Sequence, residues 1–299
     1  MDKQVKLPNF LIVGAAKSGT TSLYHYLKQH KDIFMPEYKE PQYFVSEKVQ
    51  GRIYKSISSF KEYEDLFEGV HQKAVGEASV FYLCFHEEAI PKIKSVLGNK
   101  VKIIIVLRNP VDRAFSAYRH VSRNSLKETL SFEEALVAEE GRLEREPNMT
   151  PMAMYKSMSM YSNSVQAYMS SFKDVHVVLD EDLKHDATNA LKTIFNFLEV
   201  DQEVKIDFKK HYNVGSLDWS NSFLKKVVFG KGVWKTFVKK VIPSMVLKTF
   251  SKKLRLMGGK KVEKISEKTK LELQSYFRED VMALSKTIGR NLKHWIDVA

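Results

Sequence analysis

Residues 14–21 combine two glycines, a lysine and three hydroxyl residues, and this combination can bind a phosphate group. Gly14 and Gly19 have the spacing of the nucleotide-binding pattern G-x-x-x-x-G-K-[ST]. Such a loop turns successive backbone N–H groups toward one point at the positive end of the following helix. Thr20 stands where that pattern has its lysine, whereas Lys17 lies inside the loop and Thr21 keeps the hydroxyl position. The segment predicts an anion-binding loop; the alternative is an ordinary strand-to-helix turn in which the glycines relieve steric crowding.

An arginine and a serine further along the chain form a second candidate anion site. Arg108 follows an apolar segment that indicates a buried strand, and ligands bind at the carboxyl ends of strands in open α/β sheets. Ser116 lies within the first two turns of the helix predicted next. A guanidinium and a hydroxyl that converge in this way suit a phosphate group. The alternative is a structural ion pair between Arg108 and Asp112.

Three apolar segments, alternating with helical patterns, must position these residues. The short apolar runs without polar alternation are residues 9–13, 100–107 and 175–179. Such runs are typical of strands that are buried on both faces in a parallel sheet. Helical patterns follow them at residues 20–28, 110–118 and 191–198, and a final amphipathic pattern covers residues 263–292. The order predicts an α/β fold, a three-layer sandwich with a central parallel sheet and a P-loop-like anion-binding loop.

Composition limits the class of protein. The chain has 299 residues, of which 43% are hydrophobic, so global disorder is excluded and the length suits one α/β domain over residues 1–299. The one cysteine, Cys84, excludes a disulfide scaffold and fits a reducing compartment. The apolar runs are too short to span a membrane, and the N-terminus lacks the apolar stretch of a signal peptide. We therefore expect a soluble, cytoplasmic protein.

One segment carries the net charge of +12. The stretch from Trp219 to Val262 holds twelve basic residues and no acidic residue, so the remaining charges balance. A general nucleic-acid-binding surface is therefore not expected. Aromatic and aliphatic residues interleave with these lysines, which predicts a basic amphipathic helical segment at about 216–262, interrupted at Pro243. It either contacts an anionic membrane peripherally through residues 223–262 or packs on the core with its lysines in solvent, where they attract anionic ligands.

Taken together, the two anion motifs resemble the co-substrate site of the sulfotransferases that use 3′-phosphoadenylyl sulfate (PAPS). Residues 14–23 are similar to the 5′-phosphosulfate loop of that family, and residues 108–116 are similar to its 3′-phosphate motif. The resemblance extends to residues 39–44, 141–143 and 288–295. It is greatest for the carbohydrate type, which includes the heparan sulfate N- and 3-O-sulfotransferases and soluble bacterial relatives.

This resemblance implies an activity and a set of contacts. The chain would transfer the sulfuryl group of PAPS to a hydroxyl or amine of an acceptor, a carbohydrate, glycolipid or small molecule, leaving 3′,5′-ADP and requiring no metal. Lys17 would be catalytic, because it would reach the bridging oxygen. The family pattern places the co-substrate contacts at Lys17, Ser18, Gly19, Thr20, Thr21 and Ser22, at Arg108 and Ser116, and at Lys260 in a closing loop that departs from the pattern.

The same resemblance implies a glutamate base at Glu40. A positioned carboxylate there would take the proton of the acceptor as sulfur is attacked in line; the alternative is that Glu40 pairs with Lys39 or solvent. Gln42 stands where the heparan sulfate enzymes can carry a histidine, so no histidine role transfers to that position. Glu77 is the competing base, and His120 is a weaker candidate.

Two other functions share parts of this pattern. A P-loop kinase or nucleotidase acting on a small molecule would use the same loop geometry, but Thr20 in place of the lysine counts against it. A non-enzymatic module that binds membranes or polyanions would keep the basic segment on an inactive transferase. Lys17 and Glu40 count against that alternative.

Overall fold

A parallel β-sheet forms the centre of the structure, a computed structural model that describes residues 5–124, 128–208 and 264–297. Its strands are β1 (Phe10–Gly14), β2 (Ile33–Phe34), β3 (Ala74–Ala78), β4 (Lys102–Leu107) and β5 (Val175–Leu179). They are all parallel and follow the order β2-β3-β1-β4-β5. Because β1 lies between β3 and β4, the segments that follow these three strands meet at one edge of the sheet.

Helices connect the strands and cover the sheet. In the described ranges they are α1 (Thr20–Leu27), α2 (Ser46–Val49), α3 (Phe60–Asp65), α4 (His86–Leu97), α5 (Pro110–Asn124), α6 (Phe132–Ala138), α7 (Arg142–Arg145), α8 (Ser162–Ser171), α9 (Asp180–His185), α10 (Ala187–Phe197) and α11 (Glu267–Ile288). Short 3₁₀ turns lie at Tyr43–Val45, Pro151–Ala153, Ser157–Ser159 and Lys293–Trp295.

Alternate side chains of the strands point into two separate hydrophobic layers. On one face, Ile12 and Ile104 pack with side chains of α1 and α10, including Leu23 and Ile194. The opposite face belongs to a larger cluster that joins the sheet to α4, α5, α8 and α11. The central strands are therefore buried on both faces, as their unbroken apolar sequences require.

The structure confirms the predicted fold class and all three predicted strands. It adds β2 and β3, which the sequence patterns did not predict, because β2 has only two residues and β3 contains a glycine and a glutamate. Gly76 is required in β3, since a Cβ atom there would lie 2.1 Å from the ring of Phe10 on β1. The predicted final helix is observed as α11, which Ser266 caps and Gly289 ends in the left-handed region.

The predicted basic segment at about 216–262, including Lys260, lies outside the described residues. The helices that the structure does describe include none that is both long and apolar enough to cross a bilayer.

A buried ion pair joins the segment after α5 to α7. The guanidinium of Arg142 donates from Nη1 to Glu128 Oε2 at 2.7 Å and from Nη2 to Oε1 at 3.0 Å, and the Tyr155 hydroxyl donates to the same carboxylate at 2.6 Å. The two charged side chains are only 4% and 0% exposed. A bidentate pair of this kind fixes geometry strongly, because loss of one partner leaves the other charge buried and unpaired.

We predict that Arg142→Ala lowers the free energy of unfolding by about 3–5 kcal/mol, because the Glu128 carboxylate then remains buried without its partner. Chemical denaturation followed by circular dichroism measures the change. The matched control is Lys61→Ala, which removes an exposed pair with Asp65 and leaves the midpoint unchanged. Equal midpoints for Arg142→Ala and the wild-type chain would contradict the prediction.

Candidate active site

The loop between β1 and α1 has the geometry of an anion site. Lys17 and Gly19 adopt left-handed backbone conformations, with φ of 69° and 91°. The Ala15 amide donates to the Val106 carbonyl of β4 at 2.7 Å, which ties the loop to the neighbouring strand. Gly19 precedes α1, and neither a capping side chain nor an acidic residue in the first turn neutralises this helix end. Its N–H groups and dipole therefore favour a negatively charged group.

Glycine is required at both ends of this loop. A Cβ atom on Gly14 would lie 2.6 Å from Leu83 Cβ, and one on Gly19 would lie 2.9 Å from Asp180 Oδ1. Both residues also have positive φ values. The two glycines therefore relieve steric crowding, as the alternative interpretation of this turn requires, and they do so in a loop that also has the geometry of an anion site.

Positive charge is concentrated around Lys17. Burial lowers the pKa of Lys17 from its ordinary value of 10.5 to about 8, and the charges of Arg123, Arg108 and Arg113 lower it further, whereas Glu40 opposes them. Like charges in a partly buried site repel one another, and a bound anion offsets this repulsion. The charge pattern thus fits an anionic ligand.

His120 of α5 contacts this lysine. Its Nδ1 atom lies 3.4 Å from Lys17 Nζ. Burial lowers the pKa of His120 to about 4, with smaller contributions from Lys17 and Arg123, so the imidazole is neutral at pH 7. The sequence indicates His120 only as a weaker candidate, because its position on a helix gives no sign of the contact with the loop.

Arg108 also lies against the loop. Its Nη1 atom donates to the Lys17 carbonyl at 3.4 Å. Its guanidinium is 3.7 Å from Asp112 Oδ2 and 3.6 Å from Asp180 Oδ2, and the side chain is 26% exposed. The predicted pair with Asp112 is therefore present, and Asp180 adds a second carboxylate. The structure brings Arg108 and Lys17 together at the edge of the sheet.

The candidate hydroxyl residues lie around the same edge. Ser18 is completely buried, and Thr20 is buried at the start of α1. Thr21 and Ser22 are half-buried in the first turn of that helix, and Ser116 is half-buried on α5.

Arg113 is a charged residue that sequence reasoning missed. Its side chain is fully buried, and none of its three guanidinium nitrogens has a hydrogen-bond partner among the described residues. An unpaired buried charge is costly. Pro110, Ala114 and Ala117 are buried on the same helix, so position 113 falls within an apolar stripe of α5. That helical spacing is the signal that could have singled out this arginine.

The C-terminal segment supports the residues that follow β4 and β5. Arg290 forms a bidentate pair with Asp182, at 2.5 and 2.9 Å. The Trp295 indole donates to Glu181 at 3.1 Å, and its carbonyl accepts from the Asn109 amide at 3.4 Å. These contacts attach the end of the chain to α9 and to the residue next to Arg108.

Glu40 lies at a cleft of about 640 Å³ beside the loop. His120, Lys39, Tyr38 and Phe81 also line this cleft. The Glu40 side chain is 35% exposed and pairs with Lys39 at 2.5 Å, so the predicted alternative contact with Lys39 is present. A carboxylate in this position is accessible to a molecule in the cleft, and its charge acts on Lys17.

Glu77, the competing base, is not among the residues that line this cleft. Its side chain is completely buried on β3. Burial raises the pKa of Glu77 to about 7, and hydrogen bonds from Tyr82 and Ser79 act in the opposite direction. Because none of its surface is exposed, an acceptor cannot reach this carboxyl group in this structure.

Fold and site together define a P-loop-like α/β protein with an anion-binding edge beside an open cleft. The family model described as "Sulfotransferase domain" matches residues 7–228 of the chain. The crystal structure of a sulfotransferase from Alicyclobacillus acidocaldarius superposes with a TM-score of 0.73, at 30% identity, over 98% of this chain and 100% of that one.

Two curated relatives agree with this assignment. The membrane-associated sulfotransferase kil1 of Dictyostelium discoideum is 39% identical over 129 residues, 43% of this chain and 26% of kil1. The bifunctional heparan sulfate N-deacetylase/N-sulfotransferase 3 of Homo sapiens is 26% identical over 303 residues, 97% of this chain and 31% of that protein. The chain thus spans less than a third of each of these two relatives.

The chain belongs to the sulfotransferase domain family. The family resemblance predicted from residues 14–23 and 108–116 is confirmed. Family and relatives indicate a transferase that uses a sulfate donor.

We predict that the Lys17 amine titrates near pH 8 in the free protein and at a higher pH when a phosphate anion is bound, because the anion offsets the neighbouring positive charges. The contribution of Lys17 to anion affinity is then complete below pH 8, falls as the pH rises above 8, and is lost once the pH passes the higher pKa of the bound state. Carbon-13 NMR of reductively methylated lysines measures the titration, and the Lys17→Arg variant identifies the resonance by its loss. A Lys17 resonance that titrates near 10.5 without ligand would contradict the prediction.

Proposed function

We propose that the protein transfers the sulfuryl group of PAPS to a hydroxyl or amine of an acceptor, a carbohydrate or glycolipid. The observation that carries this proposal is the convergence of Lys17, Arg108 and the uncapped start of α1 at one edge of the sheet, beside the cleft that contains Glu40. A carbohydrate acceptor is supported by the 97% of this chain that aligns with a relative whose name includes heparan sulfate N-sulfotransferase.

The residues of the edge fit a doubly phosphorylated nucleotide. In the proposal, the amides of residues 18–21 hold the 5′-phosphate at the positive end of α1, and the hydroxyls of Thr20, Thr21 and Ser22 add donors. Arg108 and Ser116 hold the 3′-phosphate, with the guanidinium exchanging its carboxylate neighbours for the phosphate. Lys260 is proposed as a further contact from its sequence position alone.

Lys17 and Glu40 divide the chemistry between them. PAPS supplies a sulfuryl group linked through oxygen to its 5′-phosphate. Glu40 takes the proton of the acceptor O–H or N–H as that oxygen or nitrogen bonds to sulfur. Lys17 stabilises the negative charge that develops on the phosphate oxygen as the sulfur–oxygen bond breaks. With a pKa of about 8, Lys17 is mostly protonated at pH 7 and can serve in this role. The proposal requires no metal ion, since cations of the chain offset the charge.

We propose one sulfotransferase domain over residues 1–299, because α11 packs into the same hydrophobic cluster as the sheet.

We propose a cytoplasmic location with peripheral membrane contact through residues 223–262, supported by the basic and aromatic sequence of that segment and by the membrane association in the name of kil1. The expected partner is a small-molecule or glycan acceptor rather than a nucleic acid.

We predict that 3′,5′-ADP raises the melting temperature by several degrees without Mg²⁺, since a ligand at 100 times its Kd stabilises by about 2.7 kcal/mol. Differential scanning fluorimetry measures the shift. The shift should be smaller with 5′-AMP and in Arg108→Ala, because each lacks one half of the 3′-phosphate contact. Stabilisation by Mg·ATP alone would instead favour a P-loop kinase or nucleotidase, an alternative that gains no support from the relatives found.

We predict that Lys17→Ala lowers turnover about 10²–10³-fold and that Glu40→Gln lowers it about 10²–10⁴-fold. Mass spectrometry detects transfer from labelled PAPS to a panel of sugar, glycolipid, alcohol and amine acceptors. Glu40→Gln should keep the thermal shift with 3′,5′-ADP, because Glu40 acts on the acceptor.

Exposed residues provide matched controls for these two variants. Lys61→Ala and Glu47→Gln alter side chains that are 73% and 81% exposed, and both should retain wild-type turnover. Full turnover in Lys17→Ala or Glu40→Gln would refute the proposed roles even if the family assignment stands.

A further inference from the structure

Glu77 is a buried ionisable group that the proposed mechanism does not use. It belongs to β3, its side chain is 0% exposed, and among the described residues no Lys, Arg or His nitrogen forms a salt bridge with it. Burial of a carboxyl group without a cationic partner costs free energy.

A short chain of hydrogen bonds leads from Glu77 to the neighbouring loop. The Ser79 hydroxyl donates to Glu77 Oε2 at 2.8 Å. The Ser79 hydroxyl oxygen in turn accepts from the Gln42 backbone amide at 3.0 Å. Because a hydroxyl has one proton and here donates it to Glu77, its lone pairs remain available for the amide. All three side chains are buried, so water does not compete for these bonds.

The loop that these hydrogen bonds reach is the one that carries Glu40. Glu40 and Gln42 both adopt left-handed backbone conformations, with φ of 60° and 54°. Left-handed backbone conformations are disfavoured for non-glycine residues, so surrounding contacts must hold Glu40 and Gln42 there. Pro41 lies between them and has no N–H group, but its carbonyl accepts from the Ile57 amide at 2.8 Å. The Ser79 bond and the Ile57 bond therefore hold this turn from two sides.

We propose that Glu77 is a positioning residue for the transfer reaction: through Ser79 it holds the Gln42 amide and so fixes the turn that presents Glu40 to the cleft. This inference rests on the proposed function, in which Glu40 is the base. The co-substrate loop after β1 makes none of these bonds. Loss of the link should therefore affect proton transfer at the acceptor more than binding of the nucleotide.

Variants of Glu77 and Ser79 test the link in the full chain. Glu77→Ala and Ser79→Ala should each lower kcat about 10- to 100-fold, because a displacement of about 1 Å at a reacting group can cost about 10²-fold. The KM for PAPS and the thermal shift with 3′,5′-ADP should not change. Glu77→Gln keeps an oxygen that accepts from Ser79 and should restore most of the turnover. The double variant should be no worse than the worse single variant, since both break one chain of bonds.

Hydrogen exchange provides a readout that needs no activity. Exchange at the Gln42 amide, followed by mass spectrometry of peptides over residues 38–44, should be at least 10-fold faster in Ser79→Ala than in the wild-type chain and in Glu77→Gln. Peptides over residues 14–19 should be unchanged. Ser79→Ala removes a single oxygen, so it keeps the test available if Glu77→Ala does not fold.

The outcomes separate this inference from the proposed function. If Glu40→Gln is inactive while Glu77→Ala and Ser79→Ala keep wild-type kcat and exchange, the positioning role is wrong and the proposed function stands. If the wild-type chain transfers no sulfuryl group although Ser79→Ala accelerates exchange at Gln42, the structural link is real and the proposed function fails. A fall in nucleotide affinity equal to the fall in kcat would show a general structural role and overturn the inference.

Discussion

The burial of several neighbouring cations at the edge formed by β1 and β4 is the constraint on which the site depends. Burial and the charges of Arg108, Arg113 and Arg123 hold the pKa of Lys17 near 8, about 2.5 below its ordinary value. The rigid sheet and the packing of α5 keep these groups close although they repel one another. A bound anion would remove this conflict, and the arrangement therefore fits the nucleotide co-substrate proposed for the site.

Steric fit sets the position of that anion. The loop passes so close to Leu83 and Asp180 that neither Gly14 nor Gly19 can carry a side chain. With no capping side chain at Gly19, the start of α1 keeps its N–H groups for a ligand. The same contacts that demand glycine therefore also shape the site, and the steric and functional explanations of these two residues are complementary.

Burial separates the roles of two nearby carboxyl groups. Glu40 is 35% exposed at the cleft, where an acceptor can reach it, whereas Glu77 is enclosed by β3 and its neighbours. Burial is the larger of the influences that raise the pKa of Glu77, and the charge of Glu40 adds to it. The exposed group can exchange a proton with a ligand, while the buried group can only orient what it contacts.

The sequence by itself determined the features that depend on neighbouring residues: three strands, the loop between Gly14 and Gly19, the helix that starts at Pro110, and the family. Apolar runs and glycine spacing are local signals, so they survive without a structure. Only the tertiary structure revealed β3, the burial of Glu77 and Arg113, and the contact of His120 with Lys17. These features depend on residues far apart in the chain, and burial in particular is a property of everything packed around a side chain rather than of its own sequence position.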